Sequence, residues 1–229
     1  MNAPENAPRQ SPIEHVLSAC GAEVRIAGGA SFAVRLQSEK VPREKMTTLG
    51  LCDVSGLNKL GLKGPDTASW LANEGVSVPN AIYDSRPLDD GGLIVRLGGD
   101  EFFLEGGLCN ESVPAISARL DTQPGGAYRV VRQEATFLLV GARRGDVLAQ
   151  TCGIDFREAA TGKVVLTRVA GVSCSVLPVL VENIPAYRLW VDSSYAIYLW
   201  ETLAEICESL DGDVIGAECV YPELLEGDV

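Results

Sequence analysis

Few residues of this chain have the type and spacing that chemistry requires. His15 is the only histidine, and the seven cysteines lie at least twelve positions apart. A serine–histidine–aspartate triad or a cysteine–histidine pair would have to be built on that one histidine. Zinc sites need clustered cysteine and histidine ligands. The sequence therefore predicts no nucleophilic centre and no metal site, and it favours cysteines that are reduced and mostly buried.

One acidic run matches a signature of nucleotide chemistry. Gly98-Gly-Asp-Glu-Phe102 is identical to the signature of diguanylate cyclases. That reaction needs metal ions held by carboxylates on two neighbouring strands, and basic groups for the substrate phosphates. Upstream, Asp53 supplies one carboxylate where the cyclase pattern has a pair. The sequence favours the alternative, which is a hairpin turn rich in glycine and aspartate.

Charge and hydropathy exclude several function classes. The 229 residues include 19 basic and 31 acidic residues, a net charge of −12, which argues against binding to nucleic acid or to an anionic membrane. No window approaches the eighteen apolar residues of a membrane span. Residues 1–12 are rich in proline and asparagine and lack a basic start, so they predict a disordered tail and not a signal peptide. A cytoplasmic protein is expected.

Two segments of the chain follow the same plan, 77 residues apart. Residues 60–71 and 137–148 each contain an apolar strand, a glycine and then a helix that presents an apolar pair. Gly64 and Gly141 occupy the position where the backbone must turn sharply between strand and helix. The repetition predicts two lobes with related structures.

The residues that follow each segment also correspond. Residues 93–97 and 101–104 predict a hairpin around a Gly-Gly turn, and a helix is expected at about residues 111–120. Residues 175–181 and 187–191 predict a second hairpin, followed by an amphipathic closing helix. The predicted fold class is α+β, with two pseudo-repeated lobes of antiparallel or mixed sheet and helices packed on them.

The same pattern predicts the domain boundaries. The first lobe is expected at residues 13–122 and the second at 123–212, joined near a Pro-Gly-Gly turn, and residues 213–229 are expected to form an acidic C-terminal tail. Pro178 lies inside a predicted strand, which indicates an edge position because proline cannot donate to a central ladder.

Three stretches resemble a known family. The run from Tyr187 to Leu203, YRLWVDSSYAIYLWETL, closely resembles the end of the gamma subunit of heterotetrameric sarcosine oxidase. The runs from Val147 to Asp155 and from Val165 to Arg168 resemble the middle of the same subunit, and the resemblance covers roughly residues 50–210. The two-lobed plan also resembles the folate-binding core of the glycine cleavage T-protein, an aminomethyltransferase.

The resemblance to the T-protein implies where folate carboxylates would lie. The aspartate that precedes a Leu-Ile-Val strand is replaced here by Gly92, with Asp89 and Asp90 close by. The acid that enters the last strand is replaced by Arg188, whereas Arg168 matches an arginine of the T-protein pattern. Both carboxylates are missing or displaced, so we expect no catalytic residues for aminomethyl transfer.

Ligand binding without catalysis remains compatible with these replacements. The candidate ligand-binding residues are Asp90, Arg168, Tyr187, Arg188 and Trp190. The last four could line a pocket between the lobes, where an arginine would suit a glutamate-tailed ligand. The alternative is that Tyr187 and Trp190 are ordinary strand residues, one facing inward and the other outward.

The resemblance implies an accessory subunit without its own active site. Its expected partners are larger subunits of a flavin-dependent complex that oxidatively demethylates an N-methylated amine or amino acid and passes the one-carbon unit to tetrahydrofolate. FAD or FMN and tetrahydrofolate are expected on those partners, although tetrahydrofolate could also bind here. The alternative is a stand-alone folate-binding protein of one-carbon metabolism, which a carboxylate of Asp89 or Asp90 in the pocket would favour. Neither nucleic acid nor a membrane is an expected partner.

Overall fold

The computed structural model describes residues 8–36 and 42–225. Most of the predicted N-terminal tail, residues 1–7, and the last residues of the acidic C-terminal tail, 226–229, lie outside the described residues. Arg9, which belongs to the predicted tail, forms an isolated β-bridge with Ala30.

Short helices alternate with strands along the described part of the chain. The strands are β1 (Glu23–Ala27), β2 (Ala30–Arg35), β3 (Gly50–Asp53), β4 (Lys59–Lys63), β5 (Ser85–Pro87), β6 (Leu93–Arg96), β7 (Glu101–Glu105), β8 (Tyr128–Val130), β9 (Ala135–Val140), β10 (Val165–Val169), β11 (Val172–Val181), β12 (Ile184–Val191) and β13 (Asp213–Val214). The α-helices are α1 (Glu14–Ala19), α2 (Pro42–Thr48), α3 (Thr67–Asn73), α4 (Ser112–Thr122), α5 (Arg144–Thr151) and α6 (Ala196–Ser209).

The chain forms two compact units whose boundaries differ from those expected at residues 122 and 212. Unit 2 consists of Leu57–Gln133 with Gly162–Val164, and unit 1 contains the rest of the chain on both sides of it. The N-terminal segment belongs to unit 1 because β3 pairs with β9 in antiparallel register, from Gly50 opposite Val140 onward. That pairing is remote in sequence, so the local pattern did not indicate it.

Unit 1 is built on a six-stranded sheet with the order β10-β11-β12-β9-β3-β13. All six residues of β9 are buried, as expected for a central strand covered on both faces. Core side chains from β9 and β12 pack against α5 and α6, including the pair Phe137 and Trp200 at 5.2 Å between ring centroids. Leu199 and Leu203 of α6 are fully buried, which confirms the predicted apolar face of the closing helix.

The predicted acidic tail forms ordered structure over its described part. β13 adds to β3 as a parallel strand, and two short 3-10 helices follow at Ala217–Cys219 and Pro222–Leu225. Ile215, Val220 and Leu224 are buried. Apolar residues interleaved with the acids therefore hold this segment on unit 1.

Pro178 occupies a different strand position from the one expected. β11 lies between β10 and β12 and is not an edge strand. β10, however, reaches only as far as the Val165–Val176 pair, so Pro178 has a ladder partner on one side only, Tyr187 of β12. Because β10 does not extend beside Pro178, no strand on that side needs the backbone N–H that proline lacks.

Unit 2 contains a five-stranded sheet with the order β5-β6-β7-β4-β8. One face packs α3 and α4 against Leu60, Leu62, Phe102 and Leu104. β6 and β7 form the predicted antiparallel hairpin, with Leu93 opposite Glu105. The strand–helix–strand–strand–helix order predicted for the first repeat is present in this unit with one additional strand, β5, between α3 and β6.

The Gly98–Phe102 pentapeptide forms the turn of that hairpin, which confirms the favoured interpretation of the cyclase-like signature. The backbone N–H groups of Leu97 and Gly98 donate to the Glu101 carbonyl. The Glu101 carboxylate forms ion pairs with Lys63 and Arg132. Among the described residues, no three histidine, cysteine or acidic side chains cluster as metal ligands.

Within the same described ranges, no helix combines the length and apolarity needed to cross a lipid bilayer.

The two repeat glycines both adopt the left-handed backbone region. Gly64 has φ 141° and Gly141 has φ 103°. A Cβ at Gly64 would collide with the carbonyl oxygen of Gly126, and one at Gly141 would collide with that of Thr48. Both glycines are therefore required by conformation and by space, as the strand-to-helix turn predicts.

A buried ion pair crosses the sheet of unit 2. Lys59 and Glu105 are directly opposite on β4 and β7, with 3.3 Å between Lys59 Nζ and the Glu105 carboxylate. Both side chains are fully buried, and Lys59 Nζ also donates to the Leu57 carbonyl at 3.0 Å. Lys63 and Glu101 form a second pair on the same strands, but Lys63 is mostly exposed.

Replacing either repeat glycine should destabilise the fold. We expect Gly64→Ala and Gly141→Ala each to lower the free energy of unfolding by more than about 1 kcal/mol, because the new Cβ meets both a strained φ and a backbone oxygen. Gly99→Ala is the matched control, since its Cβ would meet no atom within 4 Å. Urea denaturation measures the free energy of unfolding of all three variants. Equal values would contradict the conclusion that Gly64 and Gly141 are required by conformation and by space.

Breaking the buried Lys59–Glu105 pair should lower the free energy of unfolding much more than breaking the exposed Lys63–Glu101 pair. Glu105→Gln removes the carboxylate that faces the buried Lys59 ammonium, so we expect a loss of about 3–5 kcal/mol in the free energy of unfolding. Lys63→Met should cost less than about 1 kcal/mol because that pair is hydrated. Chemical denaturation of both variants distinguishes the cases, and a near-neutral Glu105→Gln would show that the pair is not isolated from water.

Candidate functional site

The register of β12 divides the candidate residues between two faces of the unit 1 sheet. Successive side chains of a strand point to opposite faces. Tyr187 pairs with Leu139 and joins the core on the face that α5 and α6 cover. Arg188 and Trp190 lie on the opposite face. The structure therefore does not bring Tyr187 together with Arg188 and Trp190. The Tyr187 side chain points to one face of the sheet and the Trp190 side chain to the other.

A cavity of about 510 Å³ lies on the face that carries Trp190. Arg168 stands opposite Ser173 across β10 and β11, and Ser175 stands opposite Trp190 across β11 and β12. The cavity, named here the Arg168 cavity, is lined by these residues together with Glu134, Leu166, Thr167, Cys174 and Asp192. The sheet register thus brings together Arg168 and Trp190, two of the predicted ligand-binding residues.

Arg168 is the free cation of this cavity. Its side chain is exposed, and it makes no hydrogen bond or ion pair with residues 8–36 or 42–225. Trp190 contributes a largely buried ring, and the two serines contribute hydroxyl groups. A cation beside an aromatic ring and hydroxyls suits a ligand that carries a carboxylate and a planar group.

Two acids, Glu134 and Asp192, line the Arg168 cavity, and Asp192 is committed to a helix start. Asp192 accepts hydrogen bonds from the backbone N–H of Ser194 at 2.9 Å and from its hydroxyl. These bonds hold the pKa of Asp192 below its ordinary value, so the carboxylate stays ionised near neutrality. Such a group is poorly suited to proton transfer.

Arg188 is buried on the same face as Trp190. Only 8% of the residue is exposed, and its guanidinium donates to the hydroxyl of Tyr221 at 3.3 Å. Tyr221 belongs to the C-terminal segment that the sequence predicted as a tail, so its contact with a candidate residue was not anticipated. Arg188 does not line the Arg168 cavity.

Asp90 lies in unit 2, where it caps a helix. Its carboxylate accepts the backbone N–H groups of Gly92 at 3.0 Å, Glu111 at 3.2 Å and Ser112 at 2.9 Å. Burial opposes ionisation, but the hydrogen bonds from Ser112 and Gly92 outweigh it and lower the pKa of Asp90. The neighbouring Asp89 lines a smaller cavity of about 210 Å³ in the same unit.

A second cavity of unit 1, of about 610 Å³, lies beside Tyr187 on the helix-covered side. The Tyr187 hydroxyl donates to the carbonyl of Phe156 at 3.1 Å, and the Arg144 guanidinium carbon lies 4.7 Å from the centre of the tyrosine ring. Burial raises the pKa of the Tyr187 phenol, so it remains protonated near neutrality. This space is named the Arg144 cavity; its lining also includes Ala142, Gly145, Asp146, Ala149, Cys152, Gly153, Ile154, Asp155 and Arg157.

Arg144 was not among the ligand-binding residues predicted from the sequence. A signal was present, because Arg143-Arg144 places two cations at the start of α5, where the helix dipole disfavours positive charge. The unfavourable charge of Arg143 is offset by its ion pair with Asp146, with 2.9 Å between Arg143 Nε and the carboxylate. Arg144 instead stacks on Tyr187.

The cysteines behave largely as the sequence predicts. Cys52, Cys174, Cys207 and Cys219 are buried free thiols. Burial raises the pKa of Cys174 and of Cys207 to about 12, so neither supplies a thiolate near neutrality. The partly buried Cys152 lines the Arg144 cavity.

Comparison with known proteins places the fold. No protein-family model and no curated protein matches the sequence. The solved aminomethyltransferase T of the glycine cleavage system from Bartonella henselae matches with a TM-score of 0.75 and 16% identity, over 92% of this chain and 60% of that chain. This chain thus spans less than two thirds of the length of that transferase.

A chain of the heterotetrameric sarcosine oxidase from Corynebacterium sp. U-96, solved with pyrrole 2-carboxylate, matches with a TM-score of 0.61 and 20% identity. The match covers 85% of this chain and 92% of that chain. Both of these structural neighbours belong to protein families that the sequence resemblance named. At these identities they establish the fold, and they confirm the predicted α+β class with a T-protein-like core.

Proposed function

We propose that this chain is a non-catalytic subunit of a heteromeric, flavin-dependent complex that oxidatively demethylates an N-methylated amine or amino acid. In this proposal the larger subunits carry FAD or FMN and perform the oxidation, and tetrahydrofolate on the complex accepts the one-carbon unit. The complex acts in the cytoplasm. The role of this chain is to pack against the larger subunits.

One observation carries the proposal. The match to a chain of heterotetrameric sarcosine oxidase extends over nearly the whole of both chains, 85% and 92%. The two chains are therefore of similar length, whereas the aminomethyltransferase has much additional chain beyond the match. A fold of similar extent therefore occurs as a chain within a hetero-oligomeric oxidase.

The side chains at the folate-related positions support a role without catalysis. The carboxylate of Asp90 accepts two backbone N–H groups at the start of α4, those of Glu111 and Ser112, and the backbone N–H of Gly92. The position of the second T-protein-like acid is taken by Arg188, which hydrogen-bonds to Tyr221. Asp192, which lines the Arg168 cavity and is not at a folate-related position, is ionised and bonded to Ser194. General acid–base catalysis requires a group that can exchange a proton at the ligand, and these groups are engaged elsewhere.

Purification of the tagged chain from its native cells, grown on a methylated amine, tests the proposal. We expect larger chains to co-purify at fixed stoichiometry, with the visible absorbance of flavin and with oxidation of an N-methylated amine. Mass spectrometry identifies the chains, and purification from cells grown without methylated amines is the control. A chain that elutes alone and colourless would contradict the subunit role.

The alternative is a stand-alone folate-binding protein of one-carbon metabolism. The observation that favours it is the Arg168 cavity, whose volume of about 510 Å³ lies within the range of small-molecule sites, about 300–1,000 Å³. The unpaired Arg168 and the ring of Trp190 match the glutamate tail and the planar ring system of a folate. Asp89 and Asp90 do not line this cavity.

Titration with tetrahydrofolate tests that alternative. If the Arg168 cavity binds the glutamate tail, Arg168→Gln should weaken binding about tenfold or more, because a charge-assisted hydrogen bond contributes about 1.5–3 kcal/mol. Arg86→Gln, an exposed change in unit 2, is the control and should leave the dissociation constant unchanged. Calorimetry measures both; absent binding, or equal loss in the two variants, would count against a folate site here.

A further inference from the structure

The Arg144 cavity is separate from the Arg168 cavity that the folate hypothesis concerns. Tyr187 lines the first and Trp190 lines the second, and the two side chains leave β12 on opposite faces of the sheet. The two cavities share no lining residue. Whatever binds beside Tyr187 therefore uses a site that the proposed function does not involve.

Arg144 presents a fixed cation to this cavity. Its guanidinium stacks on the Tyr187 ring at 4.7 Å, and its Nη1 donates to the Gly141 carbonyl at 3.2 Å. The Tyr187 ring is itself held by the hydrogen bond from its hydroxyl to Phe156. The guanidinium plane is thus oriented before any ligand arrives, which reduces the entropy lost on binding.

The charge of Arg144 has no counter-ion in the described parts of the chain, residues 8–36 and 42–225. Its two arginine neighbours differ in this respect, because Arg143 pairs with Asp146 and Arg157 pairs with Asp155. The Nε of Arg144 is buried without a hydrogen-bond partner, and Nη2 makes no hydrogen bond with those residues. The cavity therefore contains one cation, Arg144, that has no carboxylate partner among the described residues and uses only part of its hydrogen-bonding capacity.

The remaining walls of the cavity combine apolar groups with the charged side chains of Asp146, Asp155 and Arg157, and each of the two aspartates pairs with an arginine other than Arg144. Phe156, Ile154 and Ala149 supply apolar surface, and the Tyr187 hydroxyl is already engaged with a carbonyl. The volume of about 610 Å³ lies within the range of small-molecule sites, about 300–1,000 Å³. A ligand that fits must carry both an anionic group and an apolar body.

We propose that the Arg144 cavity binds a small organic anion, with its carboxylate or phosphate on the Arg144 guanidinium and its apolar body against Phe156 and Ile154. Arginine is suited to either anion because its planar donors match two ligand oxygens at once. Binding at this site is independent of tetrahydrofolate and of flavin, so it can fail or succeed whether or not the chain is a complex subunit.

Calorimetric titration of the full-length chain with benzoate and with phenyl phosphate tests the site, with benzyl alcohol as the uncharged probe. We expect saturable binding of at least one anion at one site per chain, and the stronger anion identifies the preferred headgroup. Benzyl alcohol should bind at least tenfold more weakly, because it lacks the charge that Arg144 meets.

Two adjacent arginines provide matched variants. Arg144→Gln should weaken anion binding at least tenfold, whereas Arg143→Gln should change it less than twofold, because Arg143 is paired and does not line the cavity. Arg144→Gln also removes the stacking on Tyr187, so Ala149→Phe serves as a second variant. Ala149 is exposed on α5 and lines the cavity, and a phenyl ring there should abolish binding by filling the space.

The proposal is overturned by any of three results. The first is the absence of saturable binding of either anion to the unmodified chain. The second is binding that survives both Arg144→Gln and Ala149→Phe. The third is an equal loss of anion affinity in Arg143→Gln and Arg144→Gln. That result would indicate a general attraction of anions to the start of α5 and not a defined site.

Discussion

The pairing of β9 with β3 on one side and β12 on the other is the constraint on which unit 1 depends. β9 is buried along its whole length, so all its backbone donors and acceptors must be satisfied by its two neighbours. One neighbour comes from the N-terminal part of the chain and the other from the C-terminal part. The intervening residues 57–133 form a separate compact unit because the strands on both sides of them must meet in one sheet.

The alternation of side chains along β12 follows from the same pairing and determines what the unit can bind. Tyr187 and Leu189 are directed into the core beneath α5 and α6, and Arg188 and Trp190 are directed to the other face. A shift of one residue would exchange these sets and bury an arginine among apolar side chains, at high cost. The register is therefore strongly specified, and it produces two cavities with different lining and different cations.

Local features of the fold could be predicted from the sequence because local periodicity encodes them. The hairpin around Gly98 and the apolar face of α6 each follow from residues close in the chain. The strand-to-helix glycines, Gly64 and Gly141, were identified for the same reason. The unit boundaries could not be predicted, since they depend on the β3–β9 pairing between remote segments. Pro178 was placed on an edge because the sequence does not reveal how far β10 extends.

The candidate site was predictable only in part. The resemblance to the T-protein suggested that Arg168 and Trp190 share a pocket, and the sheet brings the two side chains to one cavity. Asp90 was selected as an acid near a folate-related position, but its carboxylate caps a helix, a role that depends on backbone geometry. Arg144 was not predicted because two spatial relations distinguish it. Its guanidinium lies against the Tyr187 ring, and it has no carboxylate partner among the described residues, whereas the neighbouring Arg143 pairs with Asp146. Such relations appear only in three dimensions.

The central claim is that the chain functions as one subunit of a larger flavin-bearing assembly. The most direct measurement is the native mass of the assembly that contains the endogenous chain, determined by native mass spectrometry on extract from cells grown on a methylated amine. We expect a single species in which this chain, larger chains and flavin are present in fixed ratio. A species with the mass of this chain alone, under the same conditions, would contradict it.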